Sequence, residues 1–190
     1  ELSSGVCGGK LRKYASLIPF LRSRRVNLVG IIGGPNSNNL VGLAQLLREN
    51  GITPYAFVRE AADPQARGNA LLLDMLLSEK ERCVVSRREW QDVEAIARGA
   101  LQTFEKKGVR SHLLLEGCFG PAALPGAMTL AEDVLRNEDE SQQTFQRVYV
   151  DCGTGLSAIG LIVGLEILLG AAASQRTVVV TLIAETEDGF

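Results

Sequence analysis

Lys10 stands directly behind two glycines, Gly8 and Gly9, and directly ahead of an amphipathic stretch. Glycine removes side-chain bulk and frees the backbone, so a bound group could approach the lysine amine closely. Two further stretches have chemical potential. Residues 152–160, CGTGLSAIG, join an apolar run to a second apolar run. Gly153 and Gly155 permit a tight turn, Thr154 and Ser157 add hydroxyls, and the amides of Leu156 and its neighbours open the following helix. A helix start of this kind attracts an anion, and phosphate is its natural guest. Residues 31–39, IIGGPNSNN, place Ser37, Asn38 and Asn39 beside a Gly-Gly turn, a set suited to binding a carboxylate or carbonyl.

Taken singly, each feature also has an ordinary structural job. A Gly-Gly-Lys triplet serves in many loops, glycines make turns, and Ser or Asn caps helices. Taken together they answer one need. A phosphate-bearing aldehyde cofactor requires an amine for a Schiff base, an anion cradle, and a grip on an amino-acid substrate; that cofactor is pyridoxal 5'-phosphate. The nucleotide P-loop ending Gly-Lys-Ser/Thr is missing. Gly153, Gly155 and Ala158 fit the dinucleotide fingerprint with a tolerated alanine, which leaves nicotinamide binding as a competing reading.

The elements that must carry these residues alternate. Leu11, Tyr14, Leu17, Ile18 and Leu21 recur at helical spacing, with Pro19 expected to kink or shorten that helix. Strands are expected at 26–34, 53–59, 82–86, 111–117, 147–153 and 177–185. Helices are expected at 40–50, 66–77, 88–108 and 128–137, with Gly51 closing the first of these. The run 156–173 is nearly long enough for a membrane span but contains Glu166, and reads as a buried helix of a globular core. Residues 138–143, EDESQQ, read as an exposed connection; this stretch and the loop at 117–127 are the candidate lobe boundaries. Apolar strands alternating with helices indicate an α/β protein with parallel sheets covered on both faces.

The net charge of −2 over 190 residues offers no electrostatic case for nucleic acid or a membrane surface. Cys7, Cys83, Cys118 and Cys152 are scattered, with no Cys-x-x-Cys pair and a single histidine, so no metal site is expected and a reducing cytoplasm suits the chain. The cysteines read as small buried residues, His112 as structural and Trp90 as packing.

The ordered motifs resemble a known family, the pyridoxal-phosphate enzymes of the tryptophan-synthase-β-like fold (fold type II), in the branch of 1-aminocyclopropane-1-carboxylate deaminase and D-cysteine desulfhydrase. The family's Gly-Asn-Lys-x-Arg-Lys is matched by Gly8-Gly9-Lys10-Leu11-Arg12-Lys13, and its Ile-Gly-Gly-x-x-Ser-Asn by Ile32-Gly33-Gly34-Pro35-Asn36-Ser37-Asn38. A Gly-Asn-Leu-Leu-like segment appears as Gly68-Asn69-Ala70-Leu71-Leu72, and the phosphate loop Cys-Gly-Ser-Gly-Gly-Thr-x-Ala-Gly as residues 152–160. The chain differs in having Gly9 for Asn, Asn39 for His or Gln, and Leu156 in the phosphate turn.

The resemblance implies a deaminase or lyase acting on a small amino acid. Lys10 would form the Schiff base and move the Cα proton. Ser37, Asn38 and Asn39 would hold the substrate, with Asn38 also at the cofactor's ring hydroxyl, and Gly153, Thr154, Gly155, Leu156 and Ser157 would cradle the phosphate. It also implies a homodimer and two lobes, the smaller spanning residues 26–120 and the larger formed by 1–25 and 121–190. Family members are longer and place further active-site groups in a C-terminal segment beyond the position of Phe190, so the chain reads as a piece of a larger protein. The alternative is a catalytically inactive homologue that binds or interacts.

Overall fold

The structure, a computed structural model, describes residues 8–62, 65 and 67–183. A 3-10 turn, Gly8–Lys10, leads into α1 (Leu11–Ser23). There follow β1 (Leu28–Gly33), α2 (Asn38–Glu49), β2 (Thr53–Arg59), α3 (Asn69–Leu76), β3 (Arg82–Val85), α4 (Val93–Glu105) and β4 (Ser111–Leu114). The chain continues with α5 (Leu124–Ser141), β5 (Arg147–Cys152), α6 (Leu156–Leu169) and β6 (Thr177–Leu182). Cys7 and the end of the expected last strand lie outside the described residues.

The residues group into two compact units. The first holds Ile18–Cys118 together with the turn Gly8–Lys10 and Leu11; the second holds Arg12–Leu17 and the residues from Phe119 onward. In the first unit four parallel strands run in the order β3-β2-β1-β4. All six residues of β1 are buried, as a central strand covered on both faces requires. One face of β2 and β3 packs Phe57 and Val85 with Ile32 and Ala97 in a core that α4 covers. Parallel strands need such helical crossovers, and every one here is a helix that the apolar spacing announced.

In the second unit β5 and β6 pair in parallel, Arg147 opposite Thr177 and Cys152 opposite Leu182. Behind them α5 and α6 pack through small residues. A Cβ at Gly160 would lie 2.6 Å from the Ala127 Cβ, and one at Gly164 would lie 2.7 Å from the Ala131 Cβ. That close approach buries Leu161 and Leu165 beside Ala131, each leucine worth roughly 1.5–3 kcal/mol when fully buried. The stretch Leu156–Gln175, with mean hydropathy 2.1, is long and apolar enough by composition to cross a membrane. In this unit one face of α6 is buried while Glu166, Ile167 and Leu168 are exposed.

Three expectations are corrected. Helix α1 is not shortened at Pro19 but continues to Ser23; the bond forfeited there is outweighed by the burial of Tyr14, Leu17 and Leu21. Helix α5 starts at Leu124, well before residue 128, because Pro125 occupies its first turn, where a missing N–H costs nothing. The same helix takes in 138–141, and Glu138 is a buried residue rather than part of an exposed connection. Its carboxylate accepts from the Phe145 amide (2.7 Å) and pairs with Arg176, which leads into β6.

Candidate functional site

Lys10 ends the 3-10 turn and directly precedes α1, half-buried, with Gly8 at φ +48° just before it. The first turn of α1 is held by Arg12. Its guanidinium donates to the carbonyl and hydroxyl of Thr129 (3.3 and 3.2 Å) and pairs with Asp133, both on α5. The hydrogen bond from Arg12 holds the Asp133 carboxyl below its ordinary pKa, with the charges of Arg12 and Arg136 adding to it. One turn on, the Ser16 hydroxyl donates to the Ala122 carbonyl (2.8 Å) and accepts from the Gly126 amide (3.0 Å). A side chain at Gly126 would fall on the Arg12 carbonyl, so this seam admits only glycine.

The turn between β1 and α2 gathers Ser37, Asn38 and Asn39. Ser37 is the N-cap of α2, its Oγ accepting from the Leu40 amide at 3.3 Å. Asn38 is exposed, and its Oδ1 accepts from Asn69 Nδ2 at 2.6 Å; the same Nδ2 donates to the Asn36 carbonyl at 2.9 Å. Asn69 is the first residue of α3 and ties the turn from the side. Asn39 is 4% exposed and accepts from the thiol of buried Cys118 at 3.4 Å. Cys118 follows β4 in a left-handed conformation, φ +61°. The carboxyl ends of neighbouring strands β1 and β4 thus bring Asn39 and Cys118 together, and Asn39 orders the turn from beneath. In the sequence Asn69 belongs only to the Gly-Asn-Leu-Leu-like motif, and Cys118 reads only as a small buried residue. No local pattern pairs either with the turn, because both contacts join residues far apart in the chain.

The turn between β5 and α6 is made of backbone. Gly155 caps α6 with φ +85°, a conformation that disfavours any side chain. Gly153 and Thr154 are exposed and Ser157 is half-buried. Leu156 is 3% exposed, its bulk turned into the unit, so the side on which the first α6 amides open stays clear. A Cβ at Gly153 would meet open space. These residues fit a phosphate group: unpaired first-turn amides, a glycine cap and two hydroxyls at one helix start.

No family model matches the chain. A curated relative from Pyrococcus furiosus, provisionally named a 1-aminocyclopropane-1-carboxylate deaminase, is 23% identical over 164 residues, 86% of this chain and 49% of the relative. The chain therefore spans about half the length of that relative. A solved structure described as an ACC deaminase homologue superposes with a TM-score of 0.73 at 21% identity, covering 85% of this chain and 47% of the other. A diaminopropionate ammonia lyase from Escherichia coli, solved with an aminoacrylate–PLP reaction intermediate, superposes with a TM-score of 0.62 at 16% identity, covering 93% and 47%. By these superpositions the chain has part of the fold of the pyridoxal-phosphate enzymes of fold type II, and it is related in sequence to a protein named for 1-aminocyclopropane-1-carboxylate deaminase.

Proposed function

We propose that the chain is part of a pyridoxal-phosphate-dependent deaminase or lyase acting on a small amino acid of the D-cysteine or 1-aminocyclopropane-1-carboxylate kind. The observation that carries this reading is the turn at Gly155, which opens the first amides of α6 and buries Leu156 out of their way. In this reading the amides and hydroxyls of residues 153–157 hold the cofactor's phosphate by hydrogen bonds and the favourable end of the helix dipole. Bound pyridoxal phosphate supplies an electron sink for negative charge developing at the substrate Cα.

Lys10 would hold the cofactor through its amine and, for a substrate with a Cα proton such as D-cysteine, that amine would move the proton; a cyclopropane amino acid has no Cα proton and would react by ring chemistry instead. Gly8 and Gly9 leave that amine accessible. Ser37 and Asn38 receive the substrate carboxylate, with Asn38 also at the ring hydroxyl and its side chain oriented by Asn69. Asn39 acts from below, through the turn.

The test is a titration of the protein with pyridoxal phosphate, followed by a panel of D- and L-amino acids. The expected result is a visible absorption band that disappears in Lys10→Ala, together with release of a keto acid from at least one amino acid. No band, or an undiminished band in Lys10→Ala, overturns the assignment. A Lys10-dependent band without keto-acid release points instead to an inactive binding homologue, a reading favoured by Gly9, which offers no side chain next to the lysine.

A further inference from the structure

Helix α1 has a poor start by the ordinary rules of helix ends. The 3-10 turn ahead of it consists of two glycines and Lys10, and glycine is a weak helix former. Lys10, Arg12 and Lys13 are all cations, and no acidic residue stands in the first turn of α1. A helix start carries the positive end of the helix dipole, which disfavours cations and favours an oxygen that caps its amides. Lys10 occupies the N-cap position and gives that turn no side-chain cap bond among the described residues. A helix start of this composition frays unless something outside the helix holds it, and a lysine on a frayed turn has no fixed position.

The holding element is α5. The Arg12 guanidinium donates to the Thr129 carbonyl and hydroxyl and pairs with Asp133. The Thr129 hydroxyl is itself aimed by donating to the Gly126 carbonyl at 2.8 Å. The Arg12 main chain is gripped at the same place, since a Cβ on Gly126 would fall on its carbonyl oxygen. Arg12 is therefore fastened to α5 by side chain and main chain together, two residues after Lys10. Among its contacts the pair with Asp133 joins opposite charges at a half-buried position, and a charge-assisted hydrogen bond is stronger than a neutral one. Arg136, from an exposed position on α5, holds the other Asp133 oxygen at 2.8 Å.

We propose that Asp133 is a positioning residue for the Lys10 amine, acting through Arg12: by holding the first turn of α1 on α5, it fixes the helix start from which the lysine projects. The inference rests on the cofactor role proposed for Lys10, yet the device acts before any cofactor is bound and is open to test on the protein alone. Thr129 serves the same fork of donors, but a neutral oxygen holds an arginine less strongly than a carboxylate does.

Acetic anhydride labels a freely exposed amine faster than one held half-buried. On the protein without cofactor, the labelling rate at Lys10 is read by mass spectrometry against that at exposed Lys80. Asp133→Ala should raise the Lys10 rate severalfold, and Asp133→Glu should bring it back toward wild type. Leu161→Val, which thins the core of the same unit away from Arg12, should leave it unchanged. A second titration compares pyridoxal phosphate with pyridoxamine phosphate, which keeps the phosphate but has no aldehyde for the amine. In Asp133→Ala the affinity for the first, read by its Lys10-dependent band, should fall about tenfold, the scale of one charge-assisted hydrogen bond. Affinity for the second should stay near wild type. An unchanged Lys10 rate in Asp133→Ala, no recovery in Asp133→Glu, an equal rise in Leu161→Val, or equal loss of both ligands overturns the proposal. A wild type without any Lys10-dependent band strikes the cofactor reading alone, because the labelling comparison still decides whether Asp133 places the amine.

Discussion

Two strand-to-helix turns, 34–37 before α2 and 153–155 before α6, do the same topological job with different materials. The first is built from side chains: Ser37 caps, Asn38 is held by Asn69, and Asn39 is held by Cys118. The second is built from backbone: Gly155 is its cap and makes no side-chain cap bond. A receptor of side chains recognises shape and hydrogen-bonding pattern but depends on distant partners. A receptor of amides recognises negative charge and depends on the path of its own chain. In the proposed reading the first turn would receive the substrate carboxylate and the second the cofactor's phosphate.

The largest effect that could break this comparison is at Gly155. Gly155→Val forces a side chain into φ +85° at a cost of about 1–3 kcal/mol. It should lower pyridoxal-phosphate affinity by about tenfold or more, read by absorbance titration, because the amides lose their alignment. Thr154→Ala and Ser157→Ala should each change that affinity much less. If the hydroxyl variants lose as much as Gly155→Val, the second turn is no backbone cradle.

Next in size is Asn69→Ala, which removes both bonds to the Asn36 carbonyl and the Asn38 side chain. Stability measured in urea should fall by about 1–2 kcal/mol. The KM for substrate should rise while cofactor affinity stays near wild type. Equal losses in both would mean that the first turn serves the cofactor as much as the substrate.

The difference between the turns also decides what could be read from sequence. The Gly155 turn is local: its glycines, hydroxyls and helix start are contiguous, so its chemistry was visible in a nine-residue window. Ser37 was visible for the same reason, a cap lying three residues before the amide it receives. Strand β2 was expected at 53–59 and lies at Thr53–Arg59, because an apolar run bounded by turn residues marks itself. What escaped was long-range. Asn69 reaches Asn38 across 31 positions, Cys118 reaches Asn39 across 79, and Arg12 reaches Asp133 across 121. No periodicity encodes such pairs. Composition misled where burial contradicted it, since 138–143 is dense in charge and yet Glu138 is buried against Arg176 and the Phe145 amide. Pro125 reads as a breaker in sequence and opens a helix in the structure, because proline's effect depends on which turn it enters.

A smaller effect is expected from Ser37→Ala, which deletes a half-buried cap of α2 worth about 1 kcal/mol in urea unfolding. Ser37→Asp should recover the loss by capping the same amide, yet it should still raise the KM, because a carboxylate there repels the substrate's own. Rescue of stability together with KM would show that Ser37 only caps.

The smallest effect separates the two units by pH. His112 on β4 packs edge-on against Phe20 with ring centroids 5.5 Å apart. Burial, then the charges of Arg24 and Arg98, hold its pKa below the ordinary imidazole value. The unfolded chain therefore takes up a proton near pH 6.5 that the folded chain refuses. The stability that neutral His112 contributes is complete above about pH 6.5 and is lost as pH falls from there through the lowered folded value. Asp133 in the second unit behaves differently. Its depressed folded pKa gives a contribution present above about pH 3.9 and lost only as pH falls below that. Urea midpoints measured between about pH 7.5 and 5.5 should decline in the wild type and decline less in His112→Phe, whereas Asp133→Asn should lower the midpoint by the same amount at both ends of that window. A wild-type slope that survives in His112→Phe would remove His112 as the source of acid sensitivity in the first unit.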